Sequence, residues 1–420
     1  MSRNCLFVQP LPLSNMSWRE RLAGLSLGRL ASDNSWDKKL YLSQIPTHAH
    51  LSPSFLFKQH IDPFNLKHGL SSLDFISKVS SELTPVSEHE ILISYALHYC
   101  QVLNVMALQT FSELDPLKRF NYVLDLKVAL QTCALFGNTR LKRITNLNQV
   151  ASDLGFTQDL SNQLIKVEAL RFIYNYLLKH DPKIMAFLTL PRAQRLNLAK
   201  GPYFVHLDDQ GLGIIKVLAQ QEHLLKALKC NGKELNVITI NLDLAPLMAP
   251  LGILTPARQQ ELRYDVAAII KRLDEVVLSD LLTTQQLSSL KSSEHSSCLA
   301  ALCSFASSDL PLAESFKAQF NKQERETYAY LSAHQMPTKT YSSLVAGTSE
   351  RFASLVLCYL VENFLGACFS SEQELYARYC TKLYERAHSG YQKECHLLLN
   401  SLKEQDSKAL ELLKRISSYY

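Results

Sequence analysis

The stretch Phe352–Phe369 is apolar apart from small polar residues and the pair Glu362-Asn363, with Arg351 before it and Glu372-Gln373-Glu374 after it. It is long enough to cross a bilayer, but an ionisable group at its middle is costly there. The remaining solution is a helix buried on every side, the centre of a domain built from other helices. Composition agrees: 75 of 420 residues are Leu, a strong helix former, and 13 are Gly, which strand-rich folds spend on turns. The expected fold is therefore mainly α and multi-helical, in two or three domains, with one small ββαβ insert near residues 203–241.

The chain divides as follows. Residues 1–69 read as an irregular, Pro-containing segment with one helix from Met16 to Leu30 and breaks at Pro46, Pro53 and Pro63. Residues 70–200 read as a helical domain. Ser87 with Glu90 forms a capping box for a helix to about Phe111, and Asp115-Pro116 opens another to Leu135. In 201–284, Tyr203–Leu207 and Leu212–Leu218 form a hairpin around Gly211. A helix (Ala219–Lys229), a third strand (Leu235–Ile240) and a long helix from Thr255-Pro256 to Val277 follow. The Ser-rich stretch 285–297 reads as a linker to a helical domain, 298–420.

Charge is concentrated: residues 118–200 hold 13 Lys and Arg against 5 Asp and Glu, while the flanking parts are near balance. Within this basic segment, residues 147–164 have part of the helix-turn-helix spacing, with Ala151 at the helix contact and Gly155 in the turn. Thr157-Gln158 would open the second helix. Leu160 and Leu164 lie four apart where that pattern wants three, so an ordinary helical connection is the competing reading.

No Gly-rich phosphate loop, H-E-x-x-H or G-x-S-x-G is present. The 10 cysteines are scattered singly in apolar context, without C-x2-C spacing, which suggests reduced thiols and a cytoplasmic protein. His48, His50, His60 and Asp62 superficially offer metal ligands, but no parallel-strand pattern is seen to hold them. Asp208 and Asp209, with His206 and Asp243 near by, suit a turn as well as a cation or acid–base site. Tyr376, Arg378, Tyr379, Tyr384 and Arg386 suit a partner surface or half-buried positions.

The expectation from these residues is a non-catalytic helical binding protein, without cofactor or metal, whose basic segment meets an acidic partner, most plausibly nucleic acid. Arg140, Lys142, Arg143, Arg192, Arg195 and Lys200 would contact phosphates. Thr157, Gln158 and Asn162 would read bases. The rivals are a protein–protein adaptor or secreted effector using Leu-rich grooves, and an enzyme of a helical class using the Asp208/Asp209 region.

Overall fold

In the computed structural model of the chain, the segment expected to be irregular supplies the centre of a sheet. The structure describes residues 4–419 except 14–20, 46–50, 142–143, 145, 192–193, 195–200, 209–210, 233, 282–299, 306–308, 335–336 and 402–406, and the side chains of 278–279, 383–389 and 407. β1 (Cys5–Pro12) is buried along its whole length. It pairs antiparallel with β2 (Leu22–Leu30), which pairs antiparallel with β3 (Trp36–Leu42). On its other side β1 runs parallel to β4 (Ile91–Ser94), and β4 parallel to β5 (Tyr122–Asp125), giving the order β3-β2-β1-β4-β5.

Helices cover both faces. The helix Gln163–His180 buries Val167, Leu170, Ile173 and Leu177 in one core with Phe7 and Ile93. Ser72–Glu82 and Gln101–Gln109 share the opposite core with Leu6, Val8, Leu92 and Val123. Gly28 lets the long helix approach, since a Cβ there would lie 2.2 Å from the Trp36 ring and 2.4 Å from Val167.

The second sheet is antiparallel throughout. Its strands are β6 (Tyr203–Asp208), β7 (Gly211–Gln221), β8 (Leu224–Cys230), β9 (Leu235–Asn241) and β10 (Leu247–Pro250), in the order β10-β6-β7-β8-β9. Gly211, at φ 98°, makes the β6–β7 turn. The helix Glu350–Phe364 is buried against Leu108 and Phe111. The helices Ser370–Ser401 and Ser407–Ser417 return to the N-terminal part, where Tyr391 and Ile416 join Leu11 and Leu56 in one core. No described helix is long and apolar enough to cross a membrane.

The mainly α expectation is thus wrong: the protein is α/β with two five-stranded sheets. Leu22–Leu30 is strand where a helix was expected. Glu90 does not cap a helix; its carboxylate holds Arg29 at 3.0 Å and accepts from the Val86 N–H at 2.8 Å, just before β4. The expected helix from Asp115 is interrupted by β5, and the one from Thr255 breaks at Arg263, φ 54°, before restarting at Val266. The 203–241 region is not ββαβ. Leu224–Cys230 is built of good helix formers but pairs residue by residue with β7 and β9, so tertiary pairing overrides propensity.

Candidate functional site

In open sheets with parallel strands, ligands bind beyond the carboxyl ends of the strands, where neighbouring connections diverge. The parallel trio β1, β4 and β5 makes such an edge. Gln9 lies on β1, Tyr95 to Tyr99 follow β4, and Lys127 follows β5. They line a cavity of about 600 Å³ together with Phe55, Lys58, Gln59, Asn146, Gln149, Ser152 and Lys166. A second cavity, about 510 Å³, shares Ala96, His98 and Lys127 with the first and continues to His206, Asp208 and Asn241 of the second sheet. The two adjoin at Ala96, His98 and Lys127, and only the smaller reaches the second sheet.

Asp125 shapes the groove. Its carboxylate accepts the Leu97 and Lys127 N–H groups at 2.8 Å each and those of Ala96 and Val128 at 3.3 Å, capping the helix Leu126–Phe136 while pinning the loop after β4. Ala96 is held in the left-handed region at φ 62°, a conformation costly for a residue with a Cβ. Burial raises the Asp125 pKa, against the lowering effect of these four N–H groups.

The first cavity is cationic. Its lining contains Lys58, Lys127 and Lys166 and no carboxylate. Lys166 is 1% exposed, and its ammonium donates to the main-chain oxygen of Gln59 at 2.9 Å and to its side-chain oxygen at 3.1 Å. Desolvation lowers its pKa to about 8. Opposite charge is farther along the groove. At Asp208, burial works to raise the pKa, but hydrogen bonds and charge from His206 and from Lys229, 2.5 Å away, prevail and hold the carboxyl well below its ordinary range. Aromatic rings flank the lysines: Phe55 meets Tyr99 edge-on at 6.5 Å, and His98 lies 4.1 Å from the Tyr99 ring.

The residues singled out from sequence lie elsewhere or outside the described residues. Arg140, Thr157, Gln158 and Asn162 are exposed and line neither cavity. Lys142, Arg143, Arg192, Arg195, Lys200 and Asp209 lie outside the described residues, as do His48 and His50. Gly155 does take positive φ, 96°, but the next helix starts at Gln163 with Asn162 as its N-cap, so Thr157 and Gln158 sit in the connection. His60 is the C-cap of the helix Pro53–Gln59, and Asp62 caps the next turn and pairs with Arg415 at 2.6 Å. Sequence reasoning missed Gln9, Gln59, Lys127 and Lys166. Lys166 had a signal: it occupies the first place of the stripe Lys166, Leu170, Ile173, Leu177, where every other member is an apolar buried residue.

No protein-family model matches this sequence, and no curated protein does. Solved structures do. E. coli exonuclease I in complex with a dA16 oligonucleotide aligns over 100% of this chain and 99% of its own, with TM-score 0.73 and 14% identity. The chain has the exonuclease I fold. The zinc-bound form of the E. coli exonuclease I–single-stranded DNA complex gives TM-score 0.74 at 15% identity, and the complex of exonuclease I with the SSB C-terminus 0.74 at 14%, both with 100% and 99% coverage. An exonuclease I fold, that of solved DNA-nuclease structures, contradicts the expectation of a non-catalytic helical binder, which rested on the charge of residues 118–200 and on the absence of common enzyme signatures. It favours neither the helical-groove adaptor nor the helical-class enzyme at Asp208/Asp209.

Proposed function

We propose that this chain acts on single-stranded DNA as a protein of the exonuclease I type, taking the strand into the groove that the two adjoining cavities make at the carboxyl edge of the parallel strands. The observation that carries this reading is the groove's lining: cationic side chains interleaved with Phe55, Tyr95 and Tyr99 at the carboxyl edge of the parallel strands. Lysines meet the backbone phosphates, and aromatic faces stack exposed bases, which a duplex keeps paired inside its own stack. The exonuclease I structures solved with an oligonucleotide and with single-stranded DNA support the same substrate class.

The zinc-bound neighbour raises the question of a metal. A divalent cation in a phosphodiesterase is held by clustered carboxylates or imidazoles. Among the described residues no group of three or more His, Cys, Asp or Glu is placed to hold one, and the larger cavity is lined by none of the last three. The donor set there is three ammonium groups, carboxamides, hydroxyls and the single imidazole of His98, with no carboxylate, which does not fit a divalent cation. What this chain's own residues can do at that point is bind and orient: Lys58, Lys127 and Lys166 hold phosphate, and the Tyr99 and Phe55 rings hold bases.

The test is a binding and integrity assay with end-labelled single strands and the matching duplex, each with a divalent cation and with EDTA. Single-strand binding well above duplex binding is the expected result. Equal affinity for both forms would contradict the reading. Cation-dependent strand shortening on a denaturing gel would show that the protein does hold a metal and would contradict this reading of the donor set.

A further inference from the structure

A cation as buried as Lys166 is costly unless an opposite charge meets it. Its two acceptors both belong to Gln59 and are neutral. The carbonyl they include is the last of the helix Pro53–Gln59, so only a partial negative charge faces the ammonium. An ammonium has three protons to donate, and Gln59 takes two.

A second observation lies across the same cavity. Gln9 is 6% exposed, and its amide nitrogen donates to the Pro10 carbonyl at 3.0 Å, which fixes which end of the amide is which. Its side-chain oxygen is buried with no hydrogen-bond partner. Buried acceptors left without a donor are rare and call for one. The cavity thus offers a cation lacking an anion, an acceptor lacking a donor, and aromatic rings, in a space of about 600 Å³.

We propose that this cavity is a metal-free nucleotide site, in which Lys166 takes the phosphate and the Gln9 side-chain oxygen accepts a hydroxyl of the sugar, with the base against Tyr99 or Phe55. The ammonium would neutralise the phosphate without a metal ion. A terminal nucleotide of a single strand and a free mononucleotide present the same chemistry. The strand form rests on the proposed function, whereas the free form stands without it.

The experiment measures binding in EDTA for three ligands: deoxythymidine monophosphate, a linear oligo(dT), and a circular oligo(dT) of equal length that has no end. Wild type is compared with Lys166→Met and Gln9→Leu, after thermal melting has established that both variants fold. The expected result is that wild type binds linear above circular strands, and that Lys166→Met weakens the linear strand roughly tenfold or more, the size of a charge-assisted hydrogen bond, and removes the preference for ends. Gln9→Leu should weaken a hydroxyl-ended strand while leaving a dideoxy-ended strand unchanged. Mononucleotide binding lost in Lys166→Met, with no strand binding by wild type, assigns the site to the free nucleotide and removes the single-strand reading. Strand binding equal for linear and circular forms and unchanged in Lys166→Met overturns the site while leaving the single-strand reading in place. Binding that appears only when a divalent cation replaces EDTA also overturns it.

Discussion

Lys166 and Gln59 form a one-sided pair: the buried ammonium donates 2.9 Å to the main-chain oxygen and 3.1 Å to the side-chain oxygen of a residue with no charge. The helix carrying Lys166 is anchored on the sheet by Val167, Leu170 and Ile173, so the side chain cannot leave the cavity without disturbing that core. The geometry spends stability on a cation, and this has measurable consequences.

The first is a pH dependence. Burial lowers the Lys166 pKa from 10.5 to about 8. Below pH 8 both folded and unfolded chains carry this proton, and the cost of the buried charge is fully present. Between pH 8 and 10.5 the folded chain has released the proton while the unfolded chain keeps it, so stability rises with pH. Lys166→Met removes the cost at every pH. Urea denaturation should therefore give the variant the advantage at pH 7, shrinking by on the order of 3 kcal/mol between pH 8 and 10.5. A constant difference over that range would mean that Lys166 is not buried as a cation.

The same titration governs binding. Phosphate affinity of the wild type should fall as pH rises through 8, since the neutral amine no longer attracts the anion. In Lys166→Met the pH dependence over 7 to 9 should flatten, as calorimetric titrations with deoxythymidine monophosphate would reveal.

Asp125 holds the cavity wall by accepting four N–H groups, two of them from Ala96 and Leu97. Asp125→Ala should cost about 2–4 kcal/mol in denaturant unfolding, because it leaves a helix cap and a strained loop unsatisfied. Asp125→Asn retains one acceptor and should cost less. A midpoint unchanged by the alanine variant would contradict this role.

Arg21 and Glu362 meet at 2.8 Å with side chains only 7% and 9% exposed, tying the start of β2 to the helix Glu350–Phe364. Glu362→Ala should cost about 3–5 kcal/mol by leaving a buried guanidinium unpaired. The double change Arg21→Met with Glu362→Leu should recover most of it. Failure of the double variant to recover would mean that the pair contributes more than its charges.

The first part of the apolar run Phe352–Phe369 was legible because a helix must bury such a face, and Glu350–Phe364 does so, but the helix stops there and Leu365 and Phe369 are exposed, so the run is not one helix buried on every side. Glu362, the residue that argues against a membrane, turns out to be the partner of Arg21. The hairpin at Gly211 and the cap at Thr255 followed from turn and capping chemistry. The first sheet was not legible. Strands covered on both faces read as continuous apolar runs without alternation, and β4 and β5 are too short to show a period. Leu-rich β8 resembles a helix until its neighbours are known. The cavity was hidden for a different reason: Gln9, Gln59 and Lys166 are far apart in sequence, and a lone lysine in an apolar stripe says little until burial is known.

The most direct test is photocrosslinking of oligo(dT) to the wild-type protein in EDTA, with crosslinked residues mapped by mass spectrometry. Binding in the groove predicts crosslinks at Phe55, Tyr95 or Tyr99, lost when excess unlabelled single strand is added but retained with excess duplex. Crosslinks confined to exposed positions such as Arg140 or Thr157, with none in the groove, would contradict it.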